Sequence, residues 1–458
     1  MLVFSKPYDT SNTPVLDQAL QNVFGDRSLV RNLGLTRNHE VNDDVSGMMD
    51  RDSFVAEASA RISRLVQRNT PSLVTFCRSP VDQTPWERES QASLLEHDQS
   101  TCEVNLFTLV KSFVGHNLTT FLLGEAFVEA FPGLLDDLWT LDSNFVMLFI
   151  GTRRWVPSPG VSAGHAARDR LLHIMSIFYR AFTAWDDGID PGIELRELDD
   201  VCDLFKERMR TFRKLELSPK ASAAGHLSLY WDIVEHVTKV TYWTIVHIFA
   251  DNTLLKDIRE ELLSSVKSSR LSRQETGFPI DEPPRVDLDL EKVLETCSLL
   301  KACYYESIRL HSASISFRKL EADLTLTEST KDAAEPRTYK IRKRENVIMP
   351  HGVYQNDPDR FSNPDQYDPL RFILTNAQSG TKQVDADSLA PLAHGIYGPK
   401  SNSITERATL GLVAAIVSMW DISATGEGSL SVPSHSDKMS WGAFQPAREM
   451  RVKLKSTV

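Results

Sequence analysis

From Leu227 to Leu262 the chain contains neither proline nor glycine, and Trp, Ile, Val and Leu recur through it at helical spacing. A helix of that length, rising about 1.5 Å per residue, crosses a whole domain. The stretch therefore selects a mainly α fold built around one long helix. Within it Asp232, Glu235, His236 and Lys239 crowd into an otherwise apolar run, and polar groups in such a place need partners. Two readings stand. Asp232 with His236 and Glu235 with Lys239 are each four residues apart and can pair along the helix, or turn together toward solvent. Alternatively Glu235 and His236 reach an interior cavity, where a buried carboxylate with a raised pKa or an imidazole near neutrality can move protons.

A second stretch, Leu300 to His311, carries Glu306 and Arg309 three residues apart, beside Leu300, Cys303, Tyr304 and Ile308 at helical spacing. An ion pair there lies near a core, and a buried pair needs a further partner to offset desolvation. Glu-x-x-Arg by itself is also met on any solvated helix. It is followed, however, by Arg318, a strand-like run from Thr338 to Lys343, Val347–Pro350, and a loop from Asn356 to Phe372 that ends Asp-Pro-Leu-Arg371-Phe372. This ordered set resembles the cytochrome P450 family, the haem-thiolate monooxygenases. The spacing is most similar to the branch with prostacyclin synthase, sterol 7-hydroxylases and many filamentous-fungal enzymes. The likeness runs from about residue 105 to the C-terminus. It implies a mainly α fold with small β-sheets (α+β), in one domain over 1–458 whose C-terminal core is 225–458. It also implies a structural triad of Glu306, Arg309 and Arg371 that holds the floor under the haem-binding loop.

The resemblance assigns roles elsewhere. The end of the 227–262 helix is similar to the family's central helix, which passes over the haem, so Asp232, Glu235, His236 and Lys239 fall near the reaction cavity. Thr238 follows His236 and Val237, whereas the family has an acid before its proton-guiding Thr. The run from Val104 to Gly124 looks like a helix that the family ends at a Phe-Gly step. Phe145, Met147 and Trp155 lie in segments that roof the family's cavity, where lining it and packing in the core are both open to them. Trp86 and Arg88 are of the types set near haem propionates, but off the family's spacing, and a surface Trp–Arg contact is expected instead. The family's N-terminal membrane anchor, hinge and first sheet look missing or shortened.

The chief departure lies after Leu389. The family has a glycine-rich loop whose cysteine thiolate binds the iron; here the glycines remain, and no cysteine follows Cys303. His394 and Tyr397 are the alternative iron ligands. With 62 acidic against 51 basic residues and a net charge of −11, a general grip on nucleic acid is excluded. The five cysteines show no metal or disulfide spacing and suit a reducing compartment. No apolar run has the layout of a signal peptide or membrane anchor, so a cytoplasmic protein is expected, at most peripheral to the endoplasmic reticulum.

Three functions follow. The first is an enzyme without cofactor that cyclises, isomerises or dehydrates a lipophilic terpenoid or polyketide intermediate, with Glu235 and His236 as the catalytic proton-handling pair. The second is a haem-dependent monooxygenase with an unusual iron ligand, or a damaged gene model, served by a reductase. The third is an inactive binding protein. The first is carried forward as the expectation.

Overall fold

The computed structural model describes residues 10–11, 13–26, 51–270, 283–327, 337–375, 380, 382–389, 402–426, 428–438 and 440–458. The helices that position the site are α1 (Leu106–Leu123), α2 (Leu134–Ser143), α3 (Pro159–Asp186), α4 (Pro219–Ala250), α5 (Asn252–Leu262), α6 (Ser298–His311) and α7 (Asn402–Met419). The long helix expected over 227–262 begins earlier and breaks sooner. Pro219 occupies its first turn, where a missing N–H costs nothing, and the Ser218 hydroxyl accepts from Ala221 N–H. At the other end Asp251 adopts an extended backbone, and its carboxylate accepts from Thr253 and Leu254 N–H, starting α5 as a separate helix. A residue that favours a cap overrides an uninterrupted apolar pattern.

Every residue of α4 from Ala221 to Phe249 except His236 is buried. Helices apolar on all sides lie inside a fold, and α4 packs on α1, α3, α6 and α7. One contiguous core runs from Ala19 to Leu454 and includes Trp231, Tyr242, Trp243 and Trp420. Helix α1 is long and apolar enough to cross a membrane, and 78% of it is buried within the fold. It stops at Gly124, whose φ of +92° leaves the helical region.

A four-stranded antiparallel sheet orders Trp420–Ala424, Arg451–Ser456, Thr101–Asn105 and Ser93–Leu94, with Ile422 opposite Leu454 and Leu454 opposite Cys102. It ties the C-terminus to the start of α1, where the Glu449 carboxylate accepts from Phe107 and Thr108 N–H. A second antiparallel sheet pairs Ile315–Leu320 with Asn346–Pro350 and carries Thr10–Ser11 at its edge. Among the described residues the N-terminal side of this sheet is a two-residue strand.

Two placements correct the sequence reading, and a third agrees with one of its two alternatives. Trp86 is buried, donates to Ser72 C=O at 3.1 Å and packs edge-on to Phe113, while Arg88 donates to Gln83 C=O; they form no surface pair. Trp155 is 75% exposed and Met147 is also exposed, so neither is packed in the core. Phe145 is fully buried and stacks on Trp231, with centroids 4.3 Å apart and planes 10° apart. Amphipathic pattern alone does not distinguish a core aromatic from one at the surface.

Candidate functional site

Two buried charge clusters flank α4. In the middle of the helix Lys239 Nζ meets Glu235 Oε1 at 2.6 Å and Asp142 Oδ2 of α2 at 3.0 Å. Trp231 Nε1–H donates to Asp142 Oδ1 at 3.2 Å, and Gln445 Nε2–H donates to Asp142 Oδ2 at 2.9 Å. The C-terminal segment closes over Glu235, with Ala443 N–H 3.3 Å from Oε1. Gly442, at φ +76°, lies so near that any side-chain carbon there would collide with the Glu235 carboxylate. A residue lacking Cβ permits that approach.

Two carboxylates face one ammonium, so the cluster has a surplus negative charge in a dry interior. Burial raises the Glu235 carboxyl to about 7, although the Lys239 charge holds it down. Burial pulls on Lys239 in the deprotonating direction, but Asp142 and Glu235 outweigh it and hold the ammonium above its ordinary value. His236, half-buried, is lowered to about 4 by burial and by Lys239, which makes it neutral at physiological pH. Asp232 is buried as well. Of the sequence candidates, the structure brings Glu235 and Lys239 into this network. Its other members, Asp142, Gln445 and Gly442, come from distant segments, and only an aligned set of relatives could have pointed to them.

The second cluster lies at α6. Arg309 grips Glu306 with two prongs, Nε to Oε2 at 2.7 Å and Nη2 to Oε1 at 2.8 Å. Arg371 Nε reaches Oε1 at 3.2 Å, and Asp368 N–H adds a bond of 2.9 Å to the same oxygen. The remaining Arg309 hydrogens go to the carbonyls of Gln355, Pro364 and Gln366, and those of Arg371 to Ser362 and Gln366. Glu306 and Arg309 have no exposed side-chain surface. The loop from Gln355 to Arg371 is therefore pinned to α6 by one carboxylate and two guanidiniums, each guanidinium bonded through all three of its nitrogens.

A helical fold with small antiparallel sheets, a central helix buried along nearly all its length and a Glu–Arg–Arg lock on a neighbouring helix defines a class of helical scaffold. The Cytochrome P450 family profile matches residues 96–389. The chain belongs to the cytochrome P450 family. It is 23% identical over 303 residues to the cytochrome P450 monooxygenase poxD of Penicillium oxalicum, covering 66% of this chain and 54% of that one. With cytochrome P450 7A1 of Oryctolagus cuniculus the identity is 25% over 216 residues, 46% of this chain and 39% of the other. With the flavonoid 3'-monooxygenase CYP75B3 of Oryza sativa subsp. japonica it is 23% over 320 residues, 67% and 55%. The chain spans about half the length, or less, of the curated relatives it matches.

Family membership overturns the expectation that the protein works without a cofactor, because haem is the group this family binds. The donors present do not fit the family's thiolate. All five cysteines precede Glu306, whereas the family's ligand follows the loop of Arg371. Cys102, Cys202, Cys297 and Cys303 are buried, and burial pushes the thiols of Cys102 and Cys202 up to about 11 and that of Cys303 further. Such thiols resist forming the thiolate a metal needs. Cys77 lies ahead of the matched residues. The match ends at Leu389, next to the glycine-bearing stretch; His394 and Tyr397 lie outside the described residues.

Proposed function

We propose that the protein is a haem-dependent oxygenase that modifies a lipophilic small molecule in a biosynthetic sequence, with the haem held by a ligand other than cysteine. The observation that carries this reading is the family match over 96–389 around a complete Glu306–Arg309–Arg371 lock. Relatives named as monooxygenases, including fungal poxD and fsoE, support it. The haem-free cyclisation, isomerisation or dehydration expected from the missing cysteine gives way to it. Electron supply from a reductase and peripheral attachment to the endoplasmic reticulum belong to the same proposal.

On this reading Glu235 handles protons for the central helix, with His236 its neutral neighbour. A carboxyl that keeps its proton up to about pH 7 is matched to proton transfer near neutrality. Its seat against Lys239 and the Gly442–Ala443 backbone fixes where that proton is held.

The test is purification from haem-replete cells, followed by the absorption spectrum of the reduced, carbon-monoxide-bound protein. Stoichiometric haem with a spectrum of the neutral-ligand type is the expected result. A thiolate-type spectrum overturns the ligand assignment, and absence of haem overturns the oxygenase.

A further inference from the structure

Three imidazoles form a chain across three separate parts of the fold. His247 Nε2, in the last turn of α4, is 2.8 Å from His311 Nε2, the last residue of α6. His311 Nδ1 is 2.7 Å from His435 Nε2 in the C-terminal segment. Aromatic planes enclose the chain. Tyr367 stacks on His247 at 3.8 Å and 5°, Trp243 on His311 at 3.9 Å and 4°, and Phe444 on His435 at 4.5 Å and 17°. His247 and His311 are buried, while His435 is half-exposed.

The C-terminal segment that ends this chain also covers the Glu235 cluster. Phe444 N–H donates to His311 C=O at 2.9 Å, Trp243 Nε1–H donates to Phe444 C=O at 2.8 Å, and Ala313 N–H donates to Gly442 C=O at 2.8 Å. The residues between, Gly442, Ala443 and Gln445, are those that touch Glu235 and Asp142. His435, the end of the imidazole chain, and the lid over the buried charges therefore share one piece of chain.

Proton counting sets how this chain behaves. A neutral imidazole has one N–H and one acceptor nitrogen, and His311 spends both nitrogens on other imidazoles. With three neutral rings every N–H points the same way along the chain, and both links hold. One added proton is tolerated at any ring, because each link can still join one N–H to one lone pair. A second added proton sets two N–H groups against each other at one link, whichever rings carry the charge. The ring centroids are 5.0 Å apart at both links, so the two charges also repel.

We infer that His247, His311 and His435 form a proton-counting latch, which holds the C-terminal segment over the Glu235–Lys239–Asp142 cluster and releases it on acidification. The groups facing the latch agree in direction. Burial lowers all three rings, His247 to about 3, and the charges that bear on them are those of the other rings and of Arg309 beside His311. Rings lowered in the fold stay neutral there while the unfolded chain takes up protons near the ordinary histidine value of about 6.5. The latch's stabilisation is complete above that value and is lost as pH falls below it. His435, half in contact with solvent, is where protons enter.

The test is hydrogen exchange read by mass spectrometry on the full chain, from neutral pH down to about pH 5, where histidine switches operate. Protection factors, which remove the intrinsic pH dependence, are compared between peptides over 432–447 and the core helix α1. Wild type should lose protection in 432–447 by about tenfold or more while α1 stays protected. His435→Gln, at a half-exposed position that tolerates replacement, should remove that pH step; His247→Gln should do the same from the buried end. The inference is overturned if 432–447 keeps its protection in acid, if α1 opens together with it, or if His435→Gln shows the same step as wild type. None of these outcomes depends on haem, so the latch and the oxygenase proposal fail separately.

Discussion

The two charge clusters beside α4 both set carboxylates against cations and differ in balance. At α6 one carboxylate meets two guanidiniums, and the surplus positive charge rests on the carbonyls of Ser362, Pro364, Gln355 and Gln366. At mid-α4 two carboxylates meet one ammonium, and bonds that complete the cluster come from the C-terminal segment, Gly442 to Gln445. The first arrangement pins a loop. The second retains a proton on Glu235 up to about pH 7. What decides between a fixture and a proton-holding site is the sign of the surplus and what covers it, rather than burial, which both share.

Removing one partner at α6 should break the fixture outright. Arg309→Ala leaves Glu306 with Arg371 as its one cation and takes the Arg309 donor from the Gln355 and Pro364 carbonyls, at an expected cost of about 3–5 kcal/mol. The measurement is the denaturant midpoint or melting temperature of soluble protein. An unchanged midpoint would mean that the lock is solvated and that the two clusters do not differ as described.

Glu235→Gln sharpens the other side of the comparison, since it preserves shape and hydrogen bonding while removing the titration. A carboxyl raised from 4.5 to about 7 in the fold contributes stability that is full below pH 4.5 and is lost as pH rises through about 7. Wild type should therefore lose about 2–3 kcal/mol across that window on account of this group, and the variant should not. With the natural substrate the same variant should turn over roughly 10²- to 10⁴-fold more slowly. Equal turnover would remove the proton-handling role and leave the cluster structural.

The smallest effect is expected at the lid. Gly442→Ala places a side-chain carbon against Glu235 in a backbone at φ +76° and should cost about 1–2 kcal/mol. Combined with Glu235→Ala, the collision is relieved and the two costs should fall short of additive. Strict additivity in denaturant titrations would show that the segment does not rest on the carboxylate.

Much of the frame was legible locally. The period of α4, the Leu123–Gly124 end of α1, the strands Thr338–Ile341 and Asn346–Pro350, and the order of Glu306, Arg309 and Arg371 are all short-range patterns. The break at Asp251 was missed because a capping side chain competes with apolar periodicity only through its own hydrogen bonds. Trp86, Met147 and Trp155 were misplaced because composition does not say which side of a short element meets the core. The Glu235–Lys239 pair was readable as an i, i+4 option, but the surplus that gives it chemistry came with Asp142, from another helix.

By itself the sequence determined the family, the mainly α class, and the fact that no cysteine follows Glu306 to supply the family's thiolate, since these depend on residue identity and order along the chain. Tertiary structure alone decided that α4 is buried on nearly every side, that Asp142 and Gln445 complete its charge cluster, and that His247, His311 and His435 meet. Those contacts join residues up to hundreds of positions apart, and their partners are selected by how helices and the C-terminal segment pack. Local spacing carries no information about that choice.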